Sequence, residues 1–129
     1  MQNENIEILL AEDEEITARF IRISLERLGY KIAGVVSKGE DLILQLIFKL
    51  PTIIISDISL RGELDGIEAL ARIQEDNKIP YIFITAHNDL IPLLKSYGLN
   101  PCYLIKKPFE ISMLDSTIHK CLAESLSHS

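Results

Sequence analysis

The stretch Ile53-Ile54-Ile55-Ser56-Asp57 decides the fold of this chain. A short apolar run that ends in an acid is typical of a strand buried on both faces of a parallel sheet. Three other runs end in polar residues in the same way: Ile8-Leu9-Leu10-Ala11 before Glu12-Asp13, Tyr81-Ile82-Phe83-Ile84 before Thr85, and Cys102-Tyr103-Leu104-Ile105 before Lys106-Lys107. Because parallel strands end on one sheet edge, where ligands bind, we expect these polar side chains to converge.

Helical patterns alternate with these strands. The predicted strands cover residues 6–11, 31–36, 52–56, 79–84 and 102–105, and the predicted helices cover 14–28, 39–50, 66–76, 87–98 and 109–126. Five such units predict a three-layer α/β domain, with helices on both faces of a five-stranded parallel sheet. The predicted inward residues of four helices are Phe20, Ile21, Leu25 and Leu28; Ile43, Ile47 and Leu50; Ile67, Leu70 and Ile73; and Ile111, Leu114, Ile118 and Leu122.

Composition narrows the class of protein. We expect residues 1–129 to form a single domain, with a core of about 6–124 and no effector domain, since 47% hydrophobic residues suffice for one core. No apolar run approaches the roughly 20 residues of a membrane helix, and no signal peptide pattern is present, so we expect a cytoplasmic protein. The net charge of −6 argues against nonspecific nucleic-acid binding. Cys102 and Cys121 lack metal-ligand spacing and are predicted to be buried apolar residues.

The polar residues at the predicted sheet edge suit phosphoryl transfer to a carboxylate. Glu12, Asp13 and Asp57 offer the oxygen ligands that Mg²⁺ prefers. Without the ion, three crowded carboxylates repel, and the pKa of at least one should rise. A lysine after the fifth strand can pair with the acceptor carboxylate and then with a phosphoryl oxygen, and the hydroxyl of Thr85 can donate to another.

With these residues in order, the chain resembles the receiver domain of two-component response regulators over about residues 6–124. The matching motifs are Glu12-Asp13, Asp57, Asp65-Gly66, Thr85-Ala86 and Lys107-Pro108-Phe109.

The resemblance implies a flavodoxin-like strand order of 2-1-3-4-5 and a phosphoacceptor at Asp57, served by a partner histidine kinase or histidine phosphotransfer protein. It also implies Mg²⁺ held by Asp13, Asp57 and the main-chain carbonyl of Ser59, with Glu12 acting largely through water. Thr85 and Lys107 would contact the acyl phosphate. Such domains phosphorylate themselves from small phosphodonors and dephosphorylate themselves, without being conventional enzymes.

The chain departs from the family pattern at several places, among them the loop after Asp57, which is one residue longer than usual and has Arg61 where a proline is frequent. Two further departures lie at the fifth strand. Two lysines precede Pro108, where the family usually has one; gap-free alignment from Pro108 selects Lys107, and strand alternation lets only one of the pair reach Asp57. Leu104 stands where the family has an aromatic switch residue, and we interpret Tyr103 as ordinary strand packing.

Several alternatives stay open. Glu12-Asp13, Asp57 and Thr85 also fit caps of loops or helices, and Lys106-Lys107 fits a solvated strand end. Output is expected from the surface of the predicted 87–98 helix, the fifth strand and the last helix, through a homodimer or a separate protein. A phosphorelay intermediate, a phosphate sink or a fragment of a larger hybrid kinase or regulator are the alternatives. A flavin site is disfavoured, because acids replace the phosphate loop after the first strand.

Overall fold

The computed structural model describes residues 2–58, 60, 66–76, 78–86, 92, 96–99 and 103–127. The strands are β1 (Glu7–Ala11), β2 (Lys31–Val36), β3 (Ile53–Asp57), β4 (Tyr81–Thr85) and β5 (Tyr103–Lys106). The helices are α1 (Glu15–Arg27), α2 (Gly39–Phe48), α3 (Gly66–Asp76) and α4 (Ile111–Ser127), preceded by a 3₁₀ turn at Asn3–Asn5. The predicted 87–98 helix lies largely outside the described residues. In this part of the chain, no helix has the length and apolar character needed to cross a membrane.

The five strands form one parallel sheet in the order β2-β1-β3-β4-β5. This confirms the predicted flavodoxin-like order and the α/β class. The ends of the described strands and helices differ from the prediction by at most two residues, as at β4, which begins at Tyr81 rather than Ile79. Pro80 precedes this strand and has no N–H to extend its ladder.

Alternation along the strands divides the core into two clusters. Ile8 and Leu10 of β1 pack with the apolar face of α1 and α4, whereas Leu9 and Ala11 pack with α2 and α3. Successive residues of a strand point to opposite faces, so each strand supplies both layers. Cys121 is buried in the first cluster, as predicted, while Cys102 is outside the described residues.

The inward faces of α3 and α4 follow the prediction more closely than those of α1 and α2. Ile67, Leu70 and Ile73 are buried, and so are Leu114, Ile118 and Leu122, with Ile111 partly buried against the same core. On α1 the buried face is Ala18, Ile21 and Leu25, so the predicted inward positions of Phe20 and Leu28 were wrong. On α2 the buried residues are Gly39, Leu42 and Leu46, and Ile47 and Leu50 point to solvent instead of inward. Both sequences carry large apolar residues on more than one face, so spacing alone selects no single stripe.

The edge strand β2 contains an irregularity. Ile8 pairs with Ile32, but Leu9 pairs with Gly34, which leaves Ala33 as an extra residue. Such a bulge bends its strand and leaves one residue of the ladder without a counterpart.

A partly buried polar contact joins the turn between α1 and β2 to α4. The hydroxyl of Tyr30 donates to Asp115 Oδ1. Burial, followed by this carboxylate, raises the pKa of Tyr30 above its ordinary value. Asn3 links the same region, since its Nδ2 donates to the carbonyl of Leu28 at 2.7 Å and its Oδ1 lies 2.7 Å from His119 Nε2. The amino-terminal turn is thereby held against both helices.

Candidate functional site

The polar residues predicted to converge do meet at the carboxyl edge of the sheet. Asp57 is the last residue of β3, and Glu12 and Lys107 directly follow β1 and β5. The ladders continue one residue past β1 and β5, because the Glu12 N–H donates to Val36 O at 2.9 Å and the Lys107 N–H donates to Thr85 O at 2.7 Å. The backbone therefore fixes the starting points of these side chains.

Lys107 binds two carboxylates from two other strands. Its Nζ lies 2.7 Å from Glu12 Oε1 and 2.8 Å from Asp57 Oδ2, with Glu14 Oε1 further away at 3.9 Å. Lys106, the other candidate, is exposed. Alternation explains the difference, since Lys107 follows Ile105 at the two-residue spacing that places both on the same face of β5.

Glu12 is a buried acidic residue. Only 3% of the residue is exposed, and burial, with a contribution from the Asp57 carboxylate, raises its pKa to about 7 although Lys107 acts in the opposite direction. A raised pKa was predicted for this site from the crowding of carboxylates, but the largest cause is burial. The Glu12 carboxylate also accepts the N–H of Glu14, the N-cap residue of α1, at 3.3 Å. Glu12 therefore has a capping contact as well as an ion pair.

The contacts with Glu12 and Asp57 also change the pKa of Lys107. Burial lowers its pKa, but the hydrogen bonds to Asp57 and Glu12 outweigh burial and leave the pKa above its usual value. The amine is therefore a permanent cation at neutral pH, placed against the predicted phosphoacceptor.

Glu12, Asp13 and Asp57 form an acidic cluster with one oxygen of each carboxylate within 4.8 Å of the other two. An all-oxygen donor set of this size fits Mg²⁺, which takes one or two carboxylates and keeps several waters. Asp13 and Asp57 are only partly buried, which leaves room for such waters. Ser59, the predicted carbonyl ligand, and Asp65 lie outside the described residues.

Thr85 ends the strand next to Asp57. It is 2% exposed, and its register partner is Lys106, while Asp57 pairs with Ile84. Tyr103 packs against the core beside α4, and its hydroxyl donates to Glu124 Oε1 at 2.6 Å. Leu104 packs on the opposite face of the sheet.

Two residues that were not predicted as site residues lie against the backbone around Asp57. The buried Ser56 hydroxyl donates to the carbonyl of Asp57 at 2.7 Å. Gly66 donates its N–H to Ile58 O at 2.8 Å and lies so close that a Cβ there would collide with Asp57 O and approach Ser56 Oγ to 2.8 Å. A hydroxyl at the end of an otherwise apolar strand was the available sequence signal for Ser56.

The family model described as the response regulator receiver domain matches residues 8–119 of this chain. The chain therefore belongs to the response regulator receiver domain family, as its motifs predicted.

Similar proteins include two longer regulators. The transcriptional regulatory protein AfsQ1 of Streptomyces coelicolor is 32% identical over 115 residues, which cover 89% of this chain and 50% of AfsQ1. The phyllosphere-induced regulator PhyR of Methylorubrum extorquens is 31% identical over 117 residues, covering 90% and 43%. The chain thus spans about half the length of these curated relatives.

Solved structures share the fold closely. The signal receiver domain of a modulated diguanylate cyclase from Desulfovibrio desulfuricans G20 is 31% identical, with a TM-score of 0.86 over 96% of this chain and 98% of that one. PhyR from Bartonella quintana, described as an anti-anti-sigma factor, has a TM-score of 0.80 at 29% identity, over 95% of this chain and 49% of PhyR.

Proposed function

We propose that this receiver domain is a phosphorylation-switched module of a cytoplasmic two-component system, in which Asp57 accepts a phosphoryl group from a partner histidine kinase or histidine phosphotransfer protein. The observation that carries this proposal is the contact of the Asp57 carboxylate with Lys107 at 2.8 Å, inside a cluster of two further acids. Charge stabilisation at an anionic acceptor favours a cation and an oxygen-rich metal site beside it, and Lys107 and the acidic cluster are suited to these two roles.

In the proposed step, an oxygen of Asp57 forms a bond to phosphorus while the bond from phosphorus to the donor nitrogen breaks. The products are an aspartyl phosphate and a free histidine, whose ring nitrogen keeps the electron pair of the broken bond. Positioning and charge stabilisation supply most of the catalysis in such transfers. Lys107 would donate from its Nζ to one phosphoryl oxygen, and Thr85 would donate its hydroxyl to another.

The acidic cluster is the proposed binding site for Mg²⁺. Asp13, Asp57 and the main-chain carbonyl of Ser59 would hold the ion, with Glu12 acting largely through water. When bound, Mg²⁺ supplies positive charge that offsets the repulsion between an anionic acceptor and an anionic phosphoryl group. The ion would also relieve the repulsion among the three carboxylates.

The proposed output surface consists of residues 87–98, β5 and α4. Two side chains support an interaction there: Tyr97 is 47% exposed and Met113 is 55% exposed. A separate protein or a second copy would bind this surface when the phosphoryl state changes. Because the PhyR relative is described as an anti-anti-sigma factor, a sigma-pathway regulator is one proposed class of partner.

Mass spectrometry tests the phosphoacceptor directly. The wild type and Asp57→Asn are incubated with acetyl phosphate and Mg²⁺, and intact masses are compared with samples that contain EDTA. We expect a gain of about 80 Da, one phosphoryl group, in the wild type with Mg²⁺ only. An equal gain in Asp57→Asn would refute the assignment of Asp57, and a gain that persists in EDTA would refute the role of Mg²⁺.

A phosphorelay intermediate, a phosphate sink or a fragment of a larger hybrid kinase or regulator remain the alternative functions. A relay passes the phosphoryl group between histidines and a sink drains it, and neither presents a new surface to a partner. A short-lived aspartyl phosphate with no change in partner binding would favour that alternative over the switch.

A further inference from the structure

The peptide unit that joins Asp57 to Ile58, at the end of β3, is hydrogen-bonded through both of its polar groups. Its carbonyl, Asp57 O, accepts the hydroxyl of Ser56 at 2.7 Å. Its N–H, which belongs to Ile58, donates to Ile84 O of β4 at 3.3 Å. The next carbonyl, Ile58 O, accepts the N–H of Gly66 at 2.8 Å. The exit of β3 is therefore tied to β4 and to the first residue of α3, and the contact made by Ser56 comes from a side chain.

Ser56 is a polar residue in an otherwise apolar stretch. It follows three isoleucines and is 0% exposed. Along β3 it lies on the same face as Ile54, which packs in the core cluster on the side of α2 and α3. Serine buries less apolar surface at such a position than isoleucine would, so the fold gains less from burial there. Departures of this kind from the local pattern are expected where a residue supports a functional site.

Gly66 leaves room for the Ser56 hydroxyl. A Cβ at Gly66 would lie 2.8 Å from Ser56 Oγ and would collide with Asp57 O. The first residue of α3 approaches β3 this closely because it has no side chain. The hydroxyl therefore lies between the end of β3 and the start of α3.

We propose that Ser56 is a positioning residue for Asp57, whose hydrogen bond fixes the peptide unit at the end of β3 and thereby the direction of the Asp57 carboxylate. Alternation points the two side chains to opposite faces of the sheet, so Ser56 acts through the backbone and not on the carboxylate itself. The inference rests on the proposed function and deepens it, because Asp57 is the proposed phosphoacceptor and a proposed ligand of Mg²⁺. Both roles depend on the orientation of this one carboxylate.

The variant Ser56→Ala removes the hydroxyl and keeps a small side chain. We expect the Kd for Mg²⁺, measured by isothermal titration calorimetry on unphosphorylated protein, to rise about tenfold. With Mg²⁺ at saturation, the maximum rate of mass gain from acetyl phosphate should fall about tenfold, with little change in the acetyl phosphate concentration that gives half of that rate. Ile54→Val is the matched control, because it removes a methyl group from the same buried face of β3 and destabilises the core. It should leave the Kd and the maximum rate unchanged.

Amide hydrogen exchange tests the positioning without any phosphoryl transfer. In Ser56→Ala, the N–H groups of Ile58 and Gly66 should exchange about tenfold faster relative to that of Ile54, because the end of β3 opens locally. The Ile54 N–H donates to Pro80 O at 3.0 Å, at the other end of the strand, and serves as the reference.

Two results would overturn the proposal. One is an equal acceleration at all three amides, which would show a general loss of stability in place of a local effect. The other is a Kd for Mg²⁺ that is unchanged in Ser56→Ala, or that changes as much in Ile54→Val. If the wild type gains no phosphoryl group at Asp57, the proposed function fails, whereas the exchange rates still decide whether Ser56 positions Asp57.

Discussion

Lys107 Nζ lies 2.8 Å from Asp57 Oδ2, although 50 residues separate the two in sequence. The same amine lies 2.7 Å from Glu12 Oε1, so one cation joins the ends of β1, β3 and β5. Lys107 therefore offsets the repulsion between two carboxylates that lie close together. The ion pair therefore contributes both to the stability of the fold and to the proposed chemistry.

Replacing Lys107 should change metal affinity and reactivity in opposite directions. In Lys107→Met, we expect Mg²⁺ to bind on the order of tenfold more tightly, because a competing positive charge is gone. Phosphorylation by acetyl phosphate should slow by about tenfold or more, because a donor to the phosphoryl group is lost. Isothermal titration calorimetry and the initial rate of mass gain measure the two effects. Lys106→Met is the matched control, and a comparable response in that variant would contradict the assignment.

The pKa of Glu12 predicts how stability depends on pH. Since its pKa is raised from 4.5 to about 7, the folded state keeps a proton that the unfolded chain releases. In the absence of Mg²⁺, the wild type should therefore lose stability as pH rises from about 4.5 to 7, and Glu12→Gln should lack this contribution. The free energy of unfolding of Glu12→Gln relative to wild type should increase by a few kcal/mol between pH 5 and pH 8.

Urea unfolding at both pH values measures this difference. Glu15→Gln, which removes an exposed acid from the first turn of α1, controls for the general loss of a negative charge. A difference between wild type and Glu12→Gln that does not vary with pH would show that burial does not raise the pKa of Glu12.

Adding a side chain at Gly66 should destabilise the fold. In Gly66→Ala, the added Cβ meets the Asp57 carbonyl, so either α3 or the end of β3 must move. We expect a destabilisation of about 1–3 kcal/mol, typical of overpacking, and slower phosphorylation. Thermal unfolding and the mass-gain assay measure these effects. Gly34→Ala is the control, since its nearest neighbour is the flexible Leu9 side chain at 3.3 Å, and it should cost less. Equal losses in the two variants would contradict a specific clash at Asp57.

Two tyrosine–carboxylate hydrogen bonds should differ in strength because they differ in burial. Tyr30, which donates to Asp115, is 3% exposed, whereas the bond from Tyr103 to Glu124 is at the surface. Tyr30→Phe should lower the free energy of unfolding by about 1–3 kcal/mol, and Tyr103→Phe by less than about 1 kcal/mol. Chemical denaturation of both variants tests the order, and a larger loss in Tyr103→Phe would contradict it.

The parallel sheet and the meeting of acids and lysine could be predicted from local patterns, whereas the strand order was implied by the resemblance to the receiver family. Buried parallel strands are recognisable in the sequence as apolar runs, and the polar residues that follow them lie at one edge of the sheet. Alternation indicated that only one of Lys106 and Lys107 could reach Asp57, and the gap-free match from Pro108 selected Lys107.

The inward faces of α1 and α2 could not be predicted in the same way. The segment from Leu42 to Phe48 is apolar at every position except Gln45, so several stripes satisfy helical spacing equally well. Which stripe is buried depends on how the helix sits on the sheet. The close approach of Gly66 to the Asp57 carbonyl also escaped prediction, since it joins two elements whose approach is set by tertiary packing.

The extra residue at Ala33 has a consequence for how this protein behaves in concentrated solution. β2 is an outer strand of the sheet, and an open edge is a template for growth into fibrils. The kink in β2 breaks the regular row of amide and carbonyl groups that an incoming strand would need. We therefore expect the bulge to disfavour intermolecular extension of the sheet at β2, and with it amyloid-like aggregation of the native protein.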